Sequence, residues 1–543
     1  MDKICLKGQI VDIINKKIYA GSVFVDNGKI SKIEESKDVP SNVYILPGFV
    51  DSHIHIESSM LVPSEFARIA SVHGTVATVS DPHEIANVLG IDGVYYMLNN
   101  AESVPFKFYF GAPSCVPATN FETSGAKLLP EDVRFLLSDN RIKYLSEMMN
   151  YPGVILGVED VMQKIKIAKE LNKPIDGHAP ALRGEQLRKY IQAGITTDHE
   201  SVEFEEASEK ISYGMKILIR EGSVAKSFDT FKSLIDTNSD MLMFCSDDKH
   251  PDDLVEGHIN AMVKRAVQEG FDVMKVLRIA TLNPVLHYNL DVGLLREGDD
   301  ADFTVVDSLR DLNIIETYIK GIKVAEKGKS LIKRPIVELK NKFKAEPKCE
   351  SDFRVFPERK KIKVIEIIEE QLITNKIYVN AKIDDNNIVS NLEEDVLKIC
   401  VVNRYSNNQP SLAFVKNYGL KQGALASSIG HDSHNIIAVG TSDRELCNAV
   451  NQVIQMGGGM VVANGEDSFS LPLPVAGLMS NEDGYSIAER YKAINYKARQ
   501  LGTKLEAPFM TLSFMALLVI PKLKLSDKGL FDVENFQFTS LFV

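Results

Sequence analysis

Eight short apolar runs, most of them followed by a segment of helical character, constrain this chain more than any other feature. They span residues 50–56, 75–80, 107–112, 142–148, 174–178, 195–199, 215–220 and 241–247. Helix-like stretches such as 184–193 and 252–269 separate most of them. Strands that are apolar throughout and alternate with helices belong to parallel sheets covered on both faces. Eight such units in roughly 200–250 residues predict an α/β fold, a (β/α)8 TIM barrel. A doubly wound open sheet is the alternative, but it leaves the polar residues at nearly every strand end unexplained.

The chain's 543 residues exceed what one core supports, so two or three domains are expected. Residues 1–45 read as short strands, with an Asn27-Gly28 hairpin turn between 22–25 and 30–33. Beyond Leu282-Asn283-Pro284 similar strands return at 304–306 and 316–319, the latter turning at Lys320-Gly321 into 322–324. Residues 1–45 plus 291–335 are therefore expected to form one small β-domain flanking a barrel of 46–290. The charged segment 336–362 reads as a linker, with the basic run 340–348 solvated. Residues 363–543 read as a separate α/β domain. Its signals are strand-like 398–402 and 436–439, helix-like 442–455, and Gly457-Gly458-Gly459 marking a helix end.

A net charge of −12, from 62 Lys plus Arg against 74 Asp plus Glu, argues against nucleic acid or an anionic membrane as partner. No stretch reaches the roughly 20 apolar residues of a membrane span. Residues 1–9 lack a signal-peptide pattern. Six cysteines without CxxC spacing argue against disulfides or a Cys-rich zinc site, and a reducing cytoplasm is expected.

The chemistry lies at the strand ends, where barrel active sites sit. Strand one carries His53 and His55, two residues apart and so on one side of the strand, as a shared metal requires. Strand two ends in Asp81-Pro82-His83-Glu84, strand four near Glu147, strand five in His178, strand six in His199-Glu200 and strand eight in Asp247-Asp248. Five of the 11 histidines fall at these ends. Four imidazoles with carboxylates suit one or two divalent transition ions, His178 and His199 serving a second ion and a carboxylate bridging both. Two ions sharing a hydroxide make a nucleophile near neutral pH, and Asp247 is placed to move its proton. His83-Glu84 is not a zincin motif, because Asn87 stands where the second His belongs. The HxE…PCxxC pattern of small zinc deaminases, a Walker A loop and a GxGxxG turn are absent.

These residues resemble a known family. Pro47-Gly48-Phe49-Val50-Asp51-Ser52-His53-Ile54-His55, the two later histidines and Asp247 resemble the amidohydrolase superfamily. The continuation Ile56-Glu57-Ser58-Ser59-Met60, with Asp81-Pro82-His83-Glu84-Ile85, Glu147-Met148-Met149-Asn150-Tyr151-Pro152-Gly153-Val154 and Ile219-Arg220-Glu221-Gly222-Ser223, resembles its adenine-deaminase family. So do His431-Asp432-Ser433-His434-Asn435 and the segment from Leu473 to Ser480. The resemblance implies conversion of adenine and water to hypoxanthine and ammonia by a metal-bound hydroxide. It implies a binuclear Mn2+ or Fe2+ centre in a barrel with a small β-domain, and a homo-oligomer, read as a dimer. It implies His53 and His55 as ligands of one metal, Glu147 as the bridge where many relatives carry a carbamylated lysine, and His178 and His199 as ligands of the other. Lys143 lies nearby but matches that position less well. Asp247 is implied as ligand and proton shuttle, and Glu200 in proton transfer to a ring nitrogen. Asp81, His83 and Glu84, by their place at the rim, are expected near the substrate or a further metal, and Arg220, Glu221 and Ser223, by the shared segment, at the substrate or just behind the residues that touch it. His431, Asp432 and His434 read as a loop closing the site, with metal binding or a structural role as alternatives. Two rival readings are another amidohydrolase, such as a cyclic amidase or a different purine or pterin deaminase, and a barrel that has lost catalysis.

Overall fold

The computed structural model describes residues 3–368 and 371–543. Met1 and Asp2, at the head of 1–9, and two residues of the C-terminal region, 369–370, lie outside them.

Eight strands occupy the eight apolar runs: β1 (Phe49–Ile54), β2 (Thr75–Ser80), β3 (Lys107–Ala112), β4 (Ile142–Met148), β5 (Ile175–Gly177), β6 (Thr197–Asp198), β7 (Lys216–Arg220) and β8 (Leu242–Cys245). Every residue of β1, β2 and β8 is buried, as parallel strands covered on both faces require. β1 to β5 pair in order as one parallel sheet and β6 to β8 as another. The sheets meet at both edges. Thr196 N donates to Ile175 O at 3.0 Å, and Asp247 N donates to His53 O at 2.9 Å. The curled parallel sheet with its helices is TIM-barrel-like.

A second, eight-stranded sheet joins segments from both ends of this region. Phe303–Val306 pairs antiparallel with Tyr44–Pro47, which pairs in parallel with Ile4–Asp12. Asn27 and Gly28 have φ of 51° and 80°, the left-handed pair that a tight hairpin turn needs. Pro47-Gly48 carries the chain from this sheet into β1, and a Cβ at Gly48 would collide with Val76.

The C-terminal region builds another eight-stranded sheet, in which Val396–Val402 pairs with both Ser411–Lys416 and Ile436–Gly440. Helix Asp443–Met456 packs its apolar side on it and ends at Gly457, φ 69°. Segment 331–349 has neither helix nor strand and most of it is exposed, yet it is pinned at several points. Lys344 N donates to Arg404 O at 2.7 Å, and buried Lys348 bonds Asn408 O at 3.0 Å. The basic run 340–348 is thus a strap between the units, because its backbone and lysines find carbonyl acceptors on both.

The barrel and C-terminal region share buried polar contacts. Fully buried Glu65 accepts from Arg68 at 2.6 Å, Arg334 at 2.7 Å and Gly484 N at 3.1 Å. Asn435 donates to Thr123 O at 2.8 Å. Among the described residues no helix is long and apolar enough to cross a membrane, and all six cysteines are free.

Glu122, on the loop after β3, is buried at this seam and accepts from Thr119. Burial first, and then the nearby Asp432 charge, push its pKa from 4.5 up to about 8. The folded state therefore holds this proton more tightly than the unfolded chain does between these values. Stability from this group is present at low pH and lost as pH rises from about 4.5 through about 8. Glu122→Gln is expected to flatten that decline in melting temperature relative to wild type. Parallel pH profiles for the two proteins would refute the assignment.

Candidate active site

The strand ends bring the predicted residues to one buried point. His53 lies in β1 and His55 directly after its end, and their Nε2 atoms face each other at 3.2 Å. The Nδ1 of His55 lies 3.2 Å from the Asp81 carbonyl, which holds the ring with Nε2 inward. Asp247 Oδ1 lies 3.4 Å from His53 Nε2 and 3.2 Å from His55 Nε2. Asp247 has φ of 51°, a left-handed conformation costly for a non-glycine residue and frequent at functional sites.

Glu147, at the end of β4, stands between the two halves of the cluster. Its Oε1 lies 3.3 Å from His55 Nε2, and its Oε2 lies 2.7 Å from His178 Nδ1 and 3.2 Å from His199 Nε2. Lys143 lies at the opposite end of β4. Tyr190 ties the ends of β4 and β5 together: its OH accepts from His178 N at 3.1 Å and donates to Met148 O at 2.8 Å. Asp198, below His199, is held by Lys210 at 2.9 Å and by Ser201.

Arg220 from β7 donates to Glu200 and, at 2.6 Å, to Asp247 Oδ2. Burial opposes the charge of Asp247, but Arg220, His53 and His55 outweigh it and hold the carboxyl well below its usual range. Burial likewise opposes Glu147, which His178, His199 and His55 keep ionised. For Glu200, Arg220 and His178 overcome burial and lower the pKa. Burial and the neighbouring His199 lower His53, whereas Asp247 and Glu147 overcome burial and raise His55 well above normal. Burial also opposes protonation of His199, but Glu147 and Asp247 carry it up to about 9.

Of the remaining expected residues, His83 lies 3.2 Å from Asp81 and 3.6 Å from Glu147. Glu84 reaches the other domain, 2.8 Å from His431 Nδ1 and in contact with His434 Nε2. Asp432 lines the same cavity, and His434 stands behind Glu84. Glu221 and Ser223 are not brought to it. Glu221 accepts from Phe228 N at 3.2 Å and Ser223 Oγ from His250 N at 2.8 Å, so both brace the loop after β7 while Gly222 faces the cavity.

Sequence reasoning missed the support beneath the histidines. Asp51 accepts from Ser246 N at 3.0 Å and faces His258 Nε2 at 2.8 Å, pinning β1 to β8. His258 Nδ1 meets Thr75 Oγ1 at 2.7 Å. Its signal was the Asp51 of the Phe49-Val50-Asp51-Ser52-His53 run. Leu372, Met510 and Phe514, which close the cavity from the C-terminal region, left no such signal.

Several overlapping groups of imidazole and carboxylate donors, each within 4.8 Å of one another, could hold a metal ion. The donor set fits a divalent cation. Two imidazole nitrogens converge on one carboxylate oxygen, and buried carboxylates need a positive partner.

Residues 44–324 match the family model described as amidohydrolase family, and residues 371–537 match the one described as adenine deaminase C-terminal domain. The chain belongs to the amidohydrolase family. A protein named adenine deaminase from Sulfurovum sp. (strain NBC37-1) is 55% identical over 534 residues, covering 98% of each chain. One of that name from Salinibacter ruber is 53% identical over 540 residues, covering 99% of each. Within its family the chain stands with the adenine deaminases. Such membership implies a divalent metal.

Glu147→Gln removes the charge shared by the two halves of the cluster. Bound metal, read by plasma mass spectrometry, is expected to weaken by more than the roughly 10- to 100-fold that loss of an outer hydrogen-bond partner costs. Circular dichroism is expected to stay unchanged. Wild-type metal content in this variant would remove Glu147 from the site.

Proposed function

We propose that this buried cluster is the catalytic centre of a hydrolase that converts adenine and water to hypoxanthine and ammonia. The observation that carries the reading is the single carboxylate Glu147, set between His55 on one side and His178 and His199 on the other, beside Asp247 and Glu200 tied by Arg220. Full-length likeness to proteins named adenine deaminase supports the substrate.

We assign His53, His55 and Asp247 to one metal, His178 and His199 to a second, and Glu147 to both. Mn2+ or Fe2+ suits this donor set. A divalent ion held there makes water acidic enough to serve as a nucleophile near neutral pH. The chain's own groups account for the protons. Water adds its oxygen to C6 of the purine and must lose two protons by the end. Asp247, kept ionised by Arg220, takes one and passes it to the amine, which leaves as ammonia when the C6–N6 bond breaks. Glu200, also kept ionised, accepts the other and delivers it to the ring nitrogen that is N–H in hypoxanthine. His83 and Asp81 orient the cluster from the β2 side. In this reading the eight strands close as one (β/α)8 barrel, and the enzyme is a cytoplasmic homodimer. The free cysteines agree with a reducing compartment.

Protein reconstituted with Mn2+ is expected to release ammonia from adenine with loss of the adenine absorbance, and chelated protein is expected to do neither. Asp247→Asn is expected to lower turnover at least roughly 100-fold, as loss of a general acid–base group does. Full turnover by this variant with metal bound would overturn the proton assignment. Metal-loaded wild type inert to adenine would overturn the substrate.

A further inference from the structure

The cavity above the cluster has two chemically different halves. Most of its ionisable groups come from the barrel, Glu147, His178, Glu200 and Asp247 among them, while the C-terminal domain adds His431 and Asp432. Most of its large apolar surface comes from the C-terminal domain: Leu372, Met510, Phe514, Leu517 and Ile520. Met149, Val224 and Ala225 are the barrel's apolar contributions. A purine base is flat and apolar on its faces and polar only at its edge. Proteins that act on bases pair stacking or apolar contact with a few hydrogen bonds to that edge. The barrel half alone offers little to hold the faces.

Two buried devices fix the C-terminal half in place. His431 stacks on Phe514, with ring centroids 4.8 Å apart and planes at 18°. Its Nδ1 is taken by Glu84 at 2.8 Å, so Nε2 is the nitrogen left for a ligand in the cavity. Lys524, fully buried, donates from Nζ to the carbonyls of Leu372 and Phe514, each at 2.9 Å. It thereby joins two separate pieces of the wall. Burying a lysine amine is costly, and its bonds to two wall carbonyls offset part of that cost while holding those residues in place.

We propose that the C-terminal domain is the base-recognition half of the active site: His431, oriented by Glu84, hydrogen-bonds the edge of the purine, and Phe514 with Leu372, Met510 and Leu517 packs against it. Lys524 is a positioning residue of this wall. The inference rests on the proposed deaminase reading.

The test compares steady-state constants for adenine in Mn2+-loaded full-length protein. Phe514→Ala is expected to raise KM roughly 10- to 100-fold, the scale of lost base–aromatic contact, with kcat and metal content changed far less. His431→Asn keeps a donor at the Nδ1 position and deletes Nε2. It is expected to raise KM roughly 10-fold, the scale of one lost hydrogen bond that leaves its partner unpaired. His431→Gln, which places an amide near the Nε2 position, is expected to recover part of that loss. Wild-type KM in both Phe514→Ala and His431→Asn overturns the inference and leaves the deaminase reading standing, as does loss of bound metal in step with activity. Wild-type protein that does not deaminate adenine overturns both.

Discussion

One buried carboxylate organises this molecule. Glu147 presents one oxygen to His55 and the other to His178 and His199, at a point where water is nearly excluded. A carboxylate there is stable only if positive charge surrounds it. The fold meets this need by ending β1, β4, β5 and β6 at the same rim. Much of the neighbouring polar structure keeps those ends in register. Asp51 pins β1 to β8 through Ser246 and His258, and Tyr190 links β4 to β5. Arg220 then sets the other two carboxylates, Asp247 and Glu200, beside the cluster in their ionised forms.

The second constraint is closure. An open barrel rim would leave the cluster in water, where charges interact weakly. Here the C-terminal domain covers it, and the covering contacts are themselves polar and buried. Glu84 reaches across to His431 and His434, Asn435 to Thr123, and Glu65 accepts from Arg68, Arg334 and Gly484. The strap at 331–349 joins the same two units, Lys342 bonding Gly125 O on the barrel and Lys348 bonding Asn408 O beyond it. Most of the charged cluster and most of the apolar wall above it thus come from two regions of the chain that meet at one seam.

How much of this was legible in the sequence follows from the physics of each part. His53 and His55 could be read because a strand repeats every two residues, and the barrel-like sheet because most of its strands lie in short apolar runs that alternate with helices. Glu147, Asp247 and Glu200 could be named from strand-end position and family resemblance. Glu221 and Ser223 were expected near substrate because they share a motif with Arg220. The chain turns after β7, however, and points Glu221 at Phe228 N further along the same connection and Ser223 at His250 N on the loop after β8. The run at 340–348 looked solvated because its lysines are charged; no local pattern reveals that a lysine will find carbonyls on a distant segment. The same holds for Lys524 and for the wall of Leu372, Met510 and Phe514, whose role arises from tertiary placement alone.

The most direct test of the account is anomalous X-ray scattering from crystals of the Mn2+-loaded protein, recorded on both sides of the manganese edge. The account predicts a pair of anomalous peaks flanking Glu147, one beside His53, His55 and Asp247 and the other beside His178 and His199. No peak at Glu147, or manganese found only between Glu84, His431 and His434, would contradict it.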